Sequence, residues 1–597
     1  MFHTRPTPAN TPFLIGPRSL SHADLEEQLL KVAGRLIASE LQHKRVLLMV
    51  RDDLAFVPLL LGCMRSGAIP LLLDPGTSVR QVKDLLEHTR IDAVIADADA
   101  IALWRTEDLP LPTQQIRVGA VQAKGALLSK LLGRRAPADL DNWPGLLTVP
   151  VPLALPPARQ EGTAYVVFTS GSTARPKGVE MHWPALLAHL QTIGEHYALT
   201  PASRLLNLMP LSHADGLVQG VLLAYQRGCT LVRPAPFSLV AIEAILIAVY
   251  REQVTHLIAA PTALALLQQY GTHLAENFDN GHFRFAISCS APLSPATWTS
   301  FSQCFKVKLI NTYGLSETGT CGLYAGPDAA SHKIGSVGVP RDMLAKIVRD
   351  DGGEAGCDEA GELCLQGANL MHGYLDNPQA TAAVLRDGWL HTGDLARRDS
   401  DGVYWITGRI KDVIICGGYN LSPEAINGVL LQHPAVLEAA TVAMPDLTWG
   451  DIPVACVVLR PGMEADQQQL LQHCARHLGT HELPKRISLT GQLPRTPSGK
   501  VITAQLQHAL SLAPKEANAH GNQQEDIFAL AASLFNLPAD VLKGDSGPAN
   551  TPGWDSLAHI NFVIGLETLF KVRLSPSDVV HMETMDATVQ LIQRLTR

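Results

Sequence analysis

Among its ten cysteines the chain has no C-x-x-C pair, which removes the usual signature of a zinc site or a dithiol redox centre. Their scatter, from Cys63 to Cys474, gives no disulfide framework, so a reducing compartment fits and a cytoplasmic location is expected. Long basic blocks are missing and the net charge is −8, which argues against nucleic acid as a partner. The longest apolar stretch, residues 237–250, falls short of the ~20 residues a membrane-spanning helix needs, so no span is expected. Residues 1–16 are polar and proline-rich and hold no signal-peptide core. Internal repeats are absent, as is the G-x-x-x-x-G-K-[ST] spacing of the Walker loop.

What the chain does have is length and apolar content. With 597 residues, 46% of them hydrophobic, it can build several large cores, and roughly three to five domains are expected. Ser21 and Asp24 have capping-box spacing and open a helix expected to reach about residue 41. Apolar runs at 46–50, 68–73 and 91–96 read as strands and alternate with helical stretches at 56–66 and 79–89. After residue 179 the alternation resumes, with strands at 204–209, 230–232 and 256–259. Such alternation means a parallel sheet covered by helices on both faces. Residues 110–159, rich in Pro and Leu, show little period and read as a peripheral excursion. From about residue 345 short strands with Gly and Asp turns take over, and beyond 409 a compact α+β unit follows. A polar run near 515–525 reads as a linker, and the end of the chain as helical, with an amphipathic helix at 556–570.

The stretch that organises the chain is 168–181, Phe-Thr-Ser-Gly-Ser-Thr-Ala-Arg-Pro-Lys-Gly-Val-Glu-Met, which follows an apolar run at 164–168. Glycine lets backbone N–H groups approach oxygens closely, Ser and Thr add hydroxyl donors and Lys177 adds a cation, so such a loop can wrap a polyphosphate. Taken alone, a Ser/Gly surface turn is the simpler reading. Six further motifs follow in order: Pro210-Leu211-Ser212-His213, Ser290-Ala291-Pro292-Leu293, Asn311-Thr312-Tyr313-Gly314-Leu315-Ser316-Glu317-Thr318, Gly388 to Asp394, Gly408-Arg409-Ile410-Lys411-Asp412, and Pro494 to Lys500. Any one is weak. The ordered set resembles the adenylate-forming superfamily of acyl- and aryl-CoA synthetases, luciferase and peptide-synthetase adenylation domains, over about residues 21–510.

The resemblance implies an α/β fold with a large N-terminal domain of parallel-rich sheets (1–408) and a small mobile α+β subdomain (409–511). A linker (512–524) and an all-α carrier bundle (525–597) are expected to follow. It also implies a reaction joining a carboxylate to the α-phosphate of ATP with release of pyrophosphate. Two anions must meet, so cations and aligned donors are needed where charge develops. Thr169, Ser170, Gly171, Ser172, Thr173 and Lys177 would hold the β- and γ-phosphates, and Ser290, Ala291 and Pro292 the adenine edge. Asn311, Thr312, Gly314 and Ser316 belong to the nucleotide segment in which Tyr313 would stack on adenine. Glu317 would help hold Mg²⁺, a hard cation that prefers carboxylate and water oxygens. Asp394 would accept from both ribose hydroxyls, with Arg409 beside the nucleotide, and Lys500 would bridge carboxylate and α-phosphate. Lys411 would be the hinge, Gly417 and Gly418 would flank the incoming thiol, and His213 would line the path between acyl and thiol sites. Without the resemblance, Tyr313 and His213 read as core residues, Asp394 as a turn residue and Lys500 as a solvated charge.

Ala214 stands where α-amino-acid-selecting domains place an aspartate, so an α-amino acid is disfavoured as substrate. Asp215 next to it is expected to face solvent, because an unpaired buried carboxylate is costly. The stretch between Thr318 and Asp394 is too short for the insertion that hinders thioester formation in fatty acyl-AMP ligases, so a thiol-transfer step is expected. Gly553-Trp554-Asp555-Ser556-Leu557 resembles the carrier-protein motif, which implies phosphopantetheine on Ser556, although a helix-capping serine is the simpler physical reading.

The expected activity is therefore ATP-dependent activation of a small carboxylic acid and its transfer to the chain's own carrier. The expected partners are a phosphopantetheinyl transferase and downstream enzymes that accept an acyl carrier. The competing readings are a ligase using free CoA, a peptide-synthetase loading module, which Ala214 disfavours, and a catalytically dead scaffold, which intact Lys177, Glu317, Asp394, Arg409 and Lys500 disfavour.

Overall fold

The structure is a computed structural model that describes residues 9–596 apart from 120–141, 153, 157–159, 170–176, 417–418, 447–449, 479–482, 497–498, 513–522 and isolated positions between 536 and 580. Two large sheets lie back to back around shared helices. The first has nine strands in the order Val339–Pro340, Leu323–Ala325, Leu309–Tyr313, Phe285–Ser288, His256–Ala259, Arg204–Asn207, Thr230–Val232, Pro12–Ile15, Ser19–Ser21. Its strands from Leu309–Tyr313 to Pro12–Ile15 are parallel. The second sheet has seven strands, Gly373–Tyr374, Lys177–His182, Thr163–Thr169, Ile69–Leu72, Arg45–Met49, Ala93–Asp97 and Gln114–Val118.

Alternation along the strands divides the cores. Leu205, Leu231 and Ile258 of the first sheet, with Val46, Leu48, Leu72, Ile95 and Val167 of the second, enter one core with helices His22–Ala38, Asp53–Ser66 and Trp183–His196. Their neighbours point the other way: Leu206, Val232 and Leu257 pack under helices Ile242–Arg251 and Pro295–Phe305, and Leu47, Val94 and Val166 under helices Val79–His88 and Ala98–Thr106. Helix Asp53–Ser66 lies between the sheets and is apolar around nearly its whole circumference, as a helix with no solvent face must be. The Ser21–Asp24 capping box is present as expected, with the Asp24 N–H donating to Ser21 Oγ at 3.0 Å.

Three features go beyond the sequence reading. The N-terminal residues supply two strands of the first sheet, Pro12–Ile15 and Ser19–Ser21, and Pro12–Ile15 finds a parallel partner in Thr230–Val232, more than two hundred residues away. The excursion at 110–159 contributes Gln114–Val118 as the outermost strand of the second sheet, where its polar residues face outward. The chain is helical from Ala214 to Arg227, and its middle, Leu217–Leu222, is a π-helical turn buried throughout.

A third sheet is built on Met343–Val348, Gly361–Gly367 and Trp389–Arg398, with Tyr404–Arg409 pairing along the last of these. A fourth, smaller sheet of Ile414–Cys416, Tyr419–Leu421, Val436–Asp446, Gly450–Leu459 and Arg486–Leu489 is covered by helices Pro423–Leu430, Gln467–Ala475 and Thr503–Leu512. The architecture is thus α/β, with a large N-terminal and a small C-terminal domain. Most of the expected linker lies outside the described residues, and helix Gln523–Phe535 begins one residue before the linker's expected end. Among the described residues no helix is long and apolar enough to cross a membrane.

The last helices, Gln523–Phe535, Ser556–Phe570 and Met585–Leu595, enclose a core drawn only from their own end of the chain, including Ile527, Phe535, Trp554, Phe562 and Ile592. Phe562 is fully buried, 5.5 Å from the Phe535 ring and 5.6 Å from that of Trp554. Phe562→Ala should cost this core about 3–5 kcal/mol. In hydrogen exchange, amides of these three helices should lose protection while those of Thr163–Thr169 keep theirs; a uniform loss would show that the C-terminal helices share the main core.

Candidate active site

The expected nucleotide residues follow the carboxyl ends of parallel strands in the first sheet, where open α/β sheets place their ligands. Phe285–Ser288 leads into Ser290-Ala291-Pro292, Leu309–Tyr313 into Gly314 and Glu317, and Arg204–Asn207 into His213. Ser290 holds a left-handed backbone, φ 70°, which a non-glycine residue keeps only when its surroundings impose it. At Gly314 a Cβ would lie 2.2 Å from the Thr320 carbonyl oxygen, so only glycine lets these two strands of chain pass. Asn311 and Thr312 are buried and donate to the Ser336 and Ser288 carbonyls, at 3.0 Å each. Ser316 opens the short turn that carries Glu317.

Asp394 is the electrostatic centre. It is 2% exposed, and its Oδ2 accepts from the Tyr313 hydroxyl at 2.5 Å while Arg409 Nε lies 2.5 Å from Oδ1. Asp394 and Arg409 face each other across paired strands. Burial and the adjacent Asp394 push the Tyr313 hydroxyl well above its usual pKa, so it stays a donor. Burial works against the Arg409 charge, but Asp394, with Tyr313 and Asp412, outweighs it and the guanidinium pKa rises. The two oxygens of the carboxylate expected to accept from the ribose hydroxyls are thus each engaged once, and a carboxylate has about four acceptor sites, so capacity is left on both. The turn before Asp394 is held by Glu362, which accepts from His391 Nδ1 at 2.7 Å and from the Gly393 N–H at 3.0 Å.

Lys500 comes from the small domain. Its turn is tied by Lys500 N–H to Thr496 Oγ1 at 3.1 Å and by Arg495 to the Gly499 carbonyl at 2.6 Å. A Cβ on Gly499 would sit 3.6 Å from both Ala260 and Thr262, so the turn rests on the start of helix Pro261–Gly271. The Lys500 side chain reaches solvent yet is crowded by protein. That crowding lowers its pKa, Arg409 lowers it further, and Asp412, Asp394 and Glu317 oppose the shift. Lys411 is exposed on the short turn Ile410–Asp412, directly after Arg409 and before the fourth sheet.

Thr169 and Lys177 face each other across the hairpin that the phosphate loop would close. Lys177 Nζ lies over the Tyr374 ring, 4.8 Å from its centroid, and the Tyr374 hydroxyl donates to Glu317 Oε1 at 2.7 Å. The second Glu317 oxygen has no partner among the described residues, so a hard carboxylate donor is available and the site fits Mg²⁺. Ser170, Gly171, Ser172 and Thr173 lie outside the described residues, as do Gly417 and Gly418. Ser556 is the first residue of its helix.

His213 caps the turn Ala214–Gly216: its Nδ1 lies 3.3 Å from the Asp215 backbone nitrogen, which donates to it, and 3.6 Å from Asp215 Oδ2. Ala214 is buried. The expectation that Asp215 faces solvent is overturned, since it is 4% exposed. Gln219 Nε2 donates to its Oδ1 at 2.6 Å and the Ser290 hydroxyl donates to Oδ2, so the carboxylate is buried but not unpaired and its burial penalty is offset. Gln219 in turn accepts from the Tyr197 hydroxyl at 2.9 Å. Sequence reading missed Tyr374, Gln219 and Glu362, which carry no distinctive spacing.

Residues 3–375 match the model of the AMP-binding enzyme family, and residues 425–500 that of the AMP-binding enzyme C-terminal domain. The chain is 38% identical over 451 residues to a sulfoacetate–CoA ligase of Cupriavidus necator, a match spanning 74% of this chain and 83% of that protein. It is 30% identical over 506 residues to a feruloyl-CoA synthase of Amycolatopsis, spanning 84% and 96%. The fold is shared with ATP-bound MatB from Rhodopseudomonas palustris, with a TM-score of 0.74 at 24% identity over 85% of this chain and 97% of that one. With these matches and the site geometry together, the chain belongs to the AMP-binding enzyme family and is an ATP-dependent, AMP-forming acid–thiol ligase.

Proposed function

We propose that this enzyme is an acyl-CoA ligase acting on a small carboxylic acid, with free CoA as the thiol acceptor. A carboxylate oxygen attacks the α-phosphorus of ATP and pyrophosphate leaves with the bridging oxygen. The CoA thiol then loses its proton and attacks the acyl carbon, and AMP leaves with the electrons of the acyl–oxygen bond. The observation that carries this reading is the placement of the Lys500 ammonium in the field of Arg409, Asp412, Asp394 and Glu317, where the two anions of the first step would meet. Bound Mg²⁺ would neutralise phosphate charge, with Glu317 as its protein ligand. Lys177 and the loop after Thr169 would hold the outer phosphates, Tyr313, Asp394 and Arg409 the nucleoside, and His213 would face the acyl path. Free CoA is favoured because the similar proteins named above are a CoA ligase and a CoA synthase, and neither family match extends past residue 500. The buried, apolar Ala214 disfavours an α-amino acid.

A second reading rests on the C-terminal helices. They have a core of their own, and the helix Ser556–Phe570 starts at the serine of an Asp-Ser-Leu motif. In that reading they are a carrier, a transferase places phosphopantetheine on Ser556, and the acyl group moves to that thiol and on to downstream enzymes.

Lys500→Ala should cut acid-dependent pyrophosphate release by roughly 10²–10³-fold, the scale for one transition-state charge partner. Thioester formation from supplied acyl-adenylate should fall much less, and equal losses in both steps would remove Lys500 from the first. Ser556→Ala should leave acyl-CoA synthesis unchanged when free CoA is supplied. Intact-mass spectra of wild type treated with a phosphopantetheinyl transferase, then given ATP and acid without CoA, decide between acceptors: an acyl adduct that Ser556→Ala abolishes would establish the carrier reading.

A further inference from the structure

Tyr374 lies where two elements of the phosphate side converge. Strand Gly373–Tyr374 pairs antiparallel with Lys177–His182, Tyr374 opposite Val179, at the edge of the second sheet. This edge position brings the tyrosine beside the lysine that ends the phosphate loop. Glu317 arrives from elsewhere, on the turn after strand Leu309–Tyr313 of the first sheet. The segment before Tyr374 also grips the Glu317 backbone, since the Met371 N–H donates to the Glu317 carbonyl at 2.8 Å. The Tyr374 N–H is itself held by Thr381 Oγ1 at 2.8 Å, and Thr381 belongs to helix Pro378–Val384. The tyrosine is therefore fixed from behind, is 9% exposed, and has two contacts in front: its hydroxyl on Glu317 Oε1 at 2.7 Å and its ring under Lys177 Nζ at 4.8 Å.

Those contacts act on different groups through different physics. A glutamate has three rotatable torsions, and one hydrogen bond to Oε1 selects the rotamer that leaves Oε2 turned out. A lysine ammonium is a mobile point charge, and an aromatic face beneath it limits where it rests. We propose that Tyr374 is a positioning residue for the adenylation step, holding the carboxylate that would face Mg²⁺ and the ammonium that would face the outer phosphates at a set separation through one rigid ring. This rests on the roles proposed above for Glu317 and Lys177. Tyr374 itself touches neither nucleotide nor acid in this assignment; it acts through the two groups it holds.

The test separates hydroxyl from ring. Tyr374→Phe keeps the ring under Lys177 and removes the bond to Glu317; Tyr374→Leu removes both. Mn²⁺ binding to enzyme saturated with a non-hydrolysable ATP analogue, followed by electron paramagnetic resonance, reports on the carboxylate. Calorimetric titration of the analogue without metal reports on the ammonium. Tyr374→Phe should weaken Mn²⁺ binding about tenfold, the scale of one hydrogen bond to a charged group, and leave metal-free analogue affinity within about twofold. Tyr374→Leu should show the same metal defect plus a further loss of about three- to fivefold in metal-free analogue affinity. Glu317→Gln measured alongside keeps the two ideas apart. If it leaves Mn²⁺ binding unchanged, the reading of Glu317 fails. If it weakens Mn²⁺ binding while Tyr374→Phe does not, Glu317 stands and the positioning role of Tyr374 is overturned. Thermal melts of all three variants identify any that bind poorly because they are unfolded; Tyr374→Trp, which keeps an aromatic face and lacks the hydroxyl, then replaces Tyr374→Phe, Tyr374→Met replaces Tyr374→Leu, and Glu317→Ala replaces Glu317→Gln in the same assays.

Discussion

The site depends on one buried carboxylate. Asp394 is almost inaccessible to solvent, and a charge in that position is tolerated only because a guanidinium and a phenol hold both its oxygens. The three groups come from two sheets: Tyr313 from the nine-stranded sheet, and Asp394 and Arg409 from paired strands of the third, Arg409 at the end of the strand that leads to the small domain. Satisfying one carboxylate therefore fixes where the third sheet sits against the first and where the chain leaves for the small domain. The charges of Asp394 and Arg409 also act on Lys500 of the small domain.

A related economy governs the turn after His213. Asp215 is buried because Gln219 and Ser290 reach it, and those two residues belong to a π-helical turn and to the turn expected to meet adenine. The bond to Ser290 gives a physical reason for that residue's left-handed backbone, since it ties the turn to a fixed acceptor. π-Helical turns recur at functional sites because they re-aim a side chain by one residue, and here the turn brings Gln219 between Tyr197 and Asp215. The nucleotide turn and the histidine turn are thereby linked through one carboxylate.

The C-terminal helices stand apart in energetic terms, because their core contains none of the residues of the large or small domain. They form a unit the catalytic architecture does not need for its own packing.

Much of this was written locally in the chain. The alternation of apolar strands and amphipathic helices set the α/β class, because a two-residue or 3.6-residue period depends only on near neighbours. Capping at Ser21, the strands Thr230–Val232 and His256–Ala259, and the helix Ser556–Phe570 were legible for that reason. The ordered motifs named Lys177, Glu317, Asp394, Arg409 and Lys500, since each carries its chemistry in its residue type and immediate neighbours. What tertiary structure alone decided are the meetings between distant residues. Tyr374 and Glu317 are 57 residues apart, Ser290 and Asp215 75, and Tyr313 and Asp394 81. No local pattern records which strand pairs with which, so the burial of Asp215, the place of Pro12–Ile15 in the first sheet and the position of Tyr374 beneath Lys177 follow only once the sheets are assembled.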